Sequence, residues 1–474
     1  MNFCSAIVGC LLASSSLYAE SQAQVHIVRP EYHKEITPLY FGANGSFISP
    51  ALYYGTLPER DPDNLRPAFR KALLQSGVKI IRFPGGTYSH TYLFDSPKLC
   101  EELGVRTRTW FYDSHNWDRN LFVRLENLLA FCKEAGVALI YQLPTCFVVA
   151  GGKAVPFVDS NYSKTGGFQP RWHLVEAAAY VRKIVRVAQD TAPNVVRVWE
   201  VGNEEWANMD PSHYAAVCRT CLDAIRQVDR RTPIVVTGQV FLTDIAPLLK
   251  ETGHLKDVAG FTADHCFGNW YGHSAEKRTD IENFVRADYG ITKWLDVTIN
   301  ELAKKCITDV PQSVTECAMH RMEDWDSFKL VATLAHGLAY VSNWGDVLRH
   351  PKNNMGVFHD LQSTYFGLMQ FDVWWDEAER KFVQISPNRR ADHKDIAAKV
   401  WFERRYVVSP TGCVNRMLSK MCDGTLLLLD LQKDSPCAAL PGEYRTGRLK
   451  GNATRGSIDV TAPPFSILQI KARL

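Results

Sequence analysis

The sequence lacks an excess of either charge: 54 lysines and arginines stand against 51 aspartates and glutamates, a formal net charge of +3. That balance argues against nucleic acid or an anionic membrane as the main partner and suits a neutral substrate. No run beyond the N-terminus is long and uncharged enough to span a bilayer. Internal repeats and low-complexity linkers are missing as well, which excludes solenoid and tethered-module architectures. Cysteine is present 13 times but scattered. With Cys4 and Cys10 set aside as part of the leader, an odd number remains, so the chain is not a disulfide scaffold. Cys218-Arg-Thr-Cys221 has no second pair at zinc-finger spacing and falls in a predicted helix over 213–228. Its two thiols therefore read as core residues, not as redox or metal groups.

What is present is enough chain for a large core with a smaller satellite domain: 474 residues, 46% of them hydrophobic. Residues 3–12 are apolar and run into Ala13-Ser14-Ser15-Ser16, with small residues at Ala19 and Ala23 suited to cleavage. The pattern predicts an export signal over 1–23, although Met1-Asn2-Phe3 carries no cation, and hence a secreted or periplasmic protein. Ile7-Val8-Gly9-Cys10 is similar to a lipid-attachment motif but lies too near the start to predict an anchor.

From residue 38 onward, strand-like and helix-like segments alternate. Short apolar runs at 39–42, 78–82, 137–143, 195–201, 234–237, 259–265, 313–316 and 338–344 are separated by helical periodicities at 64–76, 122–135, 174–189, 213–228, 244–255, 280–305 and 328–335. Eight strands each with a nearby helix predict an α/β fold, a (β/α)8 TIM barrel over 38–365. Beyond 370 the composition shifts. A helix-like stretch at 392–403 precedes short strands at 405–408, 425–430 and 465–470 with Gly, Pro, Ser and Asp between them. A C-terminal all-β sandwich domain is expected, made of 370–474 and completed by 24–37, where 25–30 reads as a strand.

The chemistry gathers at Arg197-Val-Trp-Glu-Val-Gly-Asn-Glu-Glu205. An apolar strand breaks at Gly202 and delivers Asn203 and Glu204 at its C-terminal end, where a parallel barrel carries its active site. A second carboxylate, Glu316, ends the run Ser313-Val314-Thr315. Two carboxylates at two strand ends are what acid-assisted cleavage of a glycosidic bond needs. Arg82, at the end of the second strand, is placed to be a charge partner beneath Glu316, or else a structural ion pair of the barrel. Glu205 reads as a bystander, because adjacent residues point apart.

Arg82-Phe-Pro-Gly-Gly86, Trp199-Glu-Val-Gly-Asn-Glu204 and Thr315-Glu316 occur in order at the second, fourth and seventh strand ends. Together they resemble the clan A retaining glycoside hydrolases, and within them the α-L-arabinofuranosidases of family 51, over most of the chain. The resemblance implies Glu204 as acid/base, Glu316 as nucleophile and Asn203 as a hydrogen-bond partner of the sugar 2-hydroxyl, with no cofactor and no metal. Two positions depart from it. Asp264-His265-Cys266-Phe267 has Phe where the family often has Tyr, and Gly42-Ala-Asn44 has no acid where the family has a substrate-binding Glu. Asn44 could supply hydrogen bonds there, and His265 is a substrate-contacting or structural histidine; a metal group of Asp264, His265 and His320 lacks ligand spacing.

Six of the 12 tryptophans, Trp110, Trp117, Trp206, Trp270, Trp325 and Trp344, fall in or beside the predicted strand-end loops. Sugars present apolar C–H faces that large rings cover, and Trp344, at the predicted end of the eighth strand, is the first stacking candidate, with Trp206 beside the motif. The alternatives are another clan A enzyme (β-glycosidase, β-glucuronidase or endo-glycanase) and a carbohydrate-binding protein on a barrel without turnover. Glycone, linkage and oligomeric state carry no signature in the sequence.

Overall fold

The computed structural model describes residues 3–8, 22–46, 49–57, 65–107, 122–157, 172–239, 242–263, 266–267, 284–285, 291–318, 333–361, 367–370, 373–376, 381–384, 400–403, 405–422, 424–431, 450–452, 455–461 and 468–473. Its centre is a closed parallel barrel of eight strands: β1 (Gly42–Asn44), β2 (Ile80–Phe83), β3 (Ala138–Leu143), β4 (Val196–Val201), β5 (Ile234–Thr237), β6 (Val258–Ala263), β7 (Gln312–Ala318) and β8 (Asn353–Phe358). Each pairs with the next, and β8 pairs back to β1 through Val357 beside Gly42. The expected TIM barrel is therefore present.

The barrel has two apolar environments, separated by the two-residue period of its strands. Ile81 and Phe83 face outward into a large core shared with the helices, whereas Ile80, Ile140, Val198, Val235, Met355 and Val357 form a separate cluster inside the barrel. Two residues further along the same inward faces come Arg82, Gln142, Glu200, Thr237 and, past the end of β8, His359. An apolar floor thus continues into a polar layer at the C-terminal end. Glu316 needs an extra device, because Val314 belongs to the outer core and strict alternation would carry Glu316 outward with it. The β7–β8 register slips between Val314 and Cys317, and such an irregularity re-aims the side chain.

Two strands are not where the sequence places them: β1 meets the predicted run 39–42 only at Gly42, because Pro38–Tyr40 forms a 3-10 turn. Residues 338–344 lie inside the helix Leu334–Arg349, and β8 is the following segment, Asn353–Phe358. The run misleads because this helix is covered on both sides: Trp344 and Val347 pack toward Gly356, while His336 and Tyr340 hydrogen-bond Thr411 and Asn415 of a helix over Pro410–Ser419. With its outer side buried, the helix loses the polar stripe that would mark its period. The true strand opens with two asparagines and contains Gly356, residues of low strand propensity. Likewise Val400–Glu403, the end of a predicted helix, is a strand paired with Val373–Asp376.

Outside the barrel, Gln22–Ile36 pairs with Gly424–Leu431 and Arg455–Thr461 in a six-stranded sheet. Phe3–Val8, within the predicted export signal, is a strand of the same sheet, antiparallel to Leu468–Arg473. No described helix is long and apolar enough to cross a membrane. Cys218 and Cys221 are buried in the helix Pro211–Arg226, and burial pushes both thiols up, so they behave as core residues.

Candidate active site

The polar layer is organised by one guanidinium. Arg82 is fully buried, and all five of its N–H donors are used. Nε and Nη2 make a bidentate pair with Glu200, at 2.7 and 2.5 Å. Nη2 also donates to Asn203 Oδ1 at 2.7 Å, and Nη1 donates to Glu316 Oε1 at 2.8 Å and to Asn44 Oδ1 at 3.1 Å. Strands β1, β2, β4 and β7 thus meet at one cation, and Asn44, Arg82, Asn203 and Glu316 are brought together as the sequence places them. Arg82 is both the partner of Glu316 and a barrel ion pair, through Glu200.

Glu200 is the residue missed by sequence reasoning that matters most here. It sits between Trp199 and Val201 in an otherwise apolar strand, and its inward parity with Val198 was the available signal. Gln142 is a second: Oε1 accepts from Gly85 N at 2.8 Å, and Nε2 lies 3.4 Å from Asn203 Oδ1. His359, just past β8, lies with Nε2 3.6 Å from Glu316 Oε2.

Beneath Glu316 the chain comes close. A Cβ added at Gly86, whose φ is +53°, would stand 2.9 Å from Glu316 Oε1, so a side chain there would press on the carboxylate. On the other wall, β4 ends in a turn with Gly202 at φ +76° and Glu204 at φ +47°. For a glutamate the left-handed region is an uncommon conformation, held only where surroundings impose it. Glu204 is half-buried at the rim, whereas Asn203 is fully buried and its Nδ2 has no partner among the described residues. Buried amide donors are as a rule paired, so Nδ2 is a candidate hydrogen-bond donor to a bound molecule.

Glu205 does point away from Glu204, but into a second buried cluster. Its Oε1 accepts from Thr145 Oγ1 and from Asn203 N at 3.1 Å, and lies 3.2 Å from His90 Nε2. Its Oε2 accepts from Asn208 Nδ2 at 3.3 Å. Burial alone would raise the Glu205 carboxyl, but His90 and these hydrogen bonds outweigh it and hold it below the usual range. One ring nitrogen of His90, Sγ of Cys146 and one carboxylate oxygen of Glu205 lie within 4.8 Å of one another, a spacing a metal ion could use. Oε1 already faces three donors and His90 Nε2 lies 2.7 Å from Asn203 O, so a cation taking these two atoms would break that set of bonds.

The remaining candidates separate. Trp344 is removed from the site: it is fully buried, and its indole N–H donates to Tyr40 O at 3.1 Å before the start of β1, at the opposite end of the barrel. Trp206 is half-buried in the short turn Glu205–Ala207 and packs on the main core. His265, Asp264, His320, Trp110, Trp117, Trp270 and Trp325 lie outside the described residues.

No family model and no curated protein matches the sequence. Solved structures do match in fold. A GH51 arabinofuranosidase from Xanthomonas axonopodis pv. citri superposes with a TM-score of 0.59 at 13% identity, over 96% of this chain and 100% of that one. A family 51 α-L-arabinofuranosidase from Bifidobacterium longum gives 0.52 at 13% identity, over 81% and 73%. An α-L-arabinofuranosidase from Thermotoga maritima gives 0.50 at 13% identity, over 92% and 77%. At these identities the likeness is one of fold.

Proposed function

We propose that the protein is a retaining glycoside hydrolase whose nucleophile is Glu316 and whose acid/base is Glu204. The observation that carries this reading is the pair of carboxylates on β7 and just past β4, one gripped by Arg82 and the other at the rim, with a spare buried donor on Asn203 between Arg82 and the rim. The fold likeness to GH51 arabinofuranosidases supports it.

The chemistry divides by environment. Glu316 lies against a guanidinium, the surrounding in which a carboxylate stays ionised and ready to attack the anomeric carbon. Glu204 protonates the departing oxygen, and the glycosyl group is left as an ester on Glu316. Glu204 then takes a proton from water, which attacks the anomeric carbon and frees Glu316. Asn203 Nδ2 donates to the sugar hydroxyl next to the reacting carbon, a bond that strengthens as positive charge builds there. An α-L-arabinofuranoside is the glycone the neighbours suggest. The absence of an acid at β1, where Asn44 instead accepts from Arg82, keeps β-xylosides, β-glucosides and β-glucuronides in the test.

Aryl glycosides of these sugars, offered to the protein and to Glu316→Ala, test the reading. Turnover of one of them, abolished by Glu316→Ala, supports it and names the glycone. Sugar binding without turnover, equal in both forms, would turn the assignment to a carbohydrate-binding barrel. We also propose that the chain is exported with removal of residues 1–23. N-terminal sequencing of protein recovered from the periplasm or medium checks this, and an intact Phe3–Val8 in the recovered protein would contradict it.

A further inference from the structure

We propose that His90 and Glu205 act as a clamp on the Asn203 peptide and thereby position Glu204; this rests on the reading of Glu204 as the acid/base. Both polar groups of Asn203's backbone are held from the same side. Its N–H donates to Glu205 Oε1 at 3.1 Å, and its C=O, which begins the peptide leading into Glu204, lies 2.7 Å from His90 Nε2. Glu205 and His90 also contact each other at 3.2 Å, so the two grips are one unit.

The unit is anchored from three strand ends. His90 comes from the turn Gly86–Thr91 after β2, Thr145 from the loop after β3, and Glu205 from the turn after β4. His90, Thr145 and Glu205 are all buried, and Asn208 Nδ2 closes the far side with contacts to Glu205 Oε2 and to the imidazole. The residue this arrangement holds is one that resists holding. Glu204 sits at φ +47°, and without an outside constraint the chain would relax it toward an ordinary conformation. The Asn203 side chain is tied separately, by Arg82. The Arg82 network therefore fixes the side-chain amide, and the His90–Glu205 pair fixes the backbone that aims the acid. The competing use of the same residues is a metal site with Cys146, which would release this peptide if it took His90 Nε2 and Glu205 Oε1.

Four variants test it: Glu205→Ala and His90→Leu remove the grips, while Glu205→Gln and His90→Gln keep an acceptor and a donor in place. In the first pair, kcat/KM for a phenyl glycoside, which reports the step that forms the glycosyl-enzyme, falls about 10- to 100-fold. The loss is several-fold smaller for a dinitrophenyl glycoside, whose leaving group needs no proton, and the glutamine variants recover most of the rate. Equal losses for both leaving groups would overturn the proposal. Hydrogen exchange of the resting proteins gives a reading that needs no substrate. The amides around 203–204 lose protection in Glu205→Ala and His90→Leu while the amides of β4 keep theirs. Unchanged exchange there overturns the clamp even if activity falls. If the parent protein hydrolyses no glycoside, the glycosidase reading fails, and exchange still decides whether the pair holds this peptide. Zinc binding abolished by Cys146→Ser, with exchange unchanged in the other variants, would assign these atoms to a metal instead.

Discussion

The two ends of the barrel use buried polar groups differently. At the N-terminal end, side chains bond chiefly to backbone. Trp344 Nε1 donates to Tyr40 O, Tyr40 Oη donates to Asn353 O at 2.5 Å, and Lys34 Nζ donates to His350 O at 2.5 Å, and these bonds tie the entries of β1 and β8 where the sheet closes on itself. Asp229, ahead of β5, accepts from the backbone of Arg231 and Thr232 and from Trp199 Nε1. At the C-terminal end, side chains bond to side chains around Arg82, two carboxylates share one guanidinium, and Asn203 Nδ2 is buried with no partner among the described residues. Bonds to backbone fix a fold, whereas side chains bonded to one another at the strand ends are the groups that the proposed reaction uses.

The sharpest test of that division is at the rim. Glu316→Ala and Glu204→Ala each lower kcat by about 10³-fold or more on substrates with poor leaving groups. Thermal unfolding of these variants stays close to the parent's, because Arg82 keeps its bidentate bond to Glu200. Arg82→Met strikes both fold and function: it strands Glu200 and Glu316 in the interior, and chemical denaturation is expected to show a loss of about 3–5 kcal/mol. A variant that kept full stability would show that the network is not what holds the polar layer together.

At the other end, Asp229→Ala leaves the Trp199 indole N–H unpaired and lowers stability by about 1–3 kcal/mol without touching KM or kcat. The parent also has an acid signature there. Burial would raise the Asp229 carboxyl, yet its hydrogen bonds hold it at about 2, below the ordinary aspartate value of 3.8. Because the folded value is the lower one, its contribution is complete above pH 3.8 and is lost as the pH falls through about 2. Urea midpoints measured from pH 5 down to pH 2 should fall less in Asp229→Ala than in the parent. The smallest effect is expected for Trp344→Phe, about 1 kcal/mol from the lost indole bond, with sugar affinity unchanged. A raised KM in that variant would put Trp344 back in the cleft and blur the difference between the two ends.

Much of this was readable in the chain. Six strands, the start of β1 and the order of Arg82, Asn203, Glu204 and Glu316 follow from short apolar runs ending in polar residues, because a parallel barrel repeats that pattern. The eighth strand was not readable, since the helix before it is buried on both sides and the strand itself carries Asn353, Asn354 and Gly356. Trp344 was misplaced by the same error, one helix too early. Glu200 was within reach of a parity argument from Val198. His90 was not, because its contact with Glu205 joins two turns more than a hundred residues apart, and no local pattern encodes that closure.

One measurement bears most directly on the central claim that the C-terminal end works by double displacement on Glu316. Glu204→Ala mixed with dinitrophenyl glycosides should lose the leaving group quickly and release sugar slowly, so that a glycosyl-enzyme accumulates. Mass spectrometry of the digested protein is expected to find the sugar on the peptide carrying Glu316, and Glu316→Ala to form no adduct. An adduct on another residue, or a product of inverted configuration released with no adduct at all, would contradict the account.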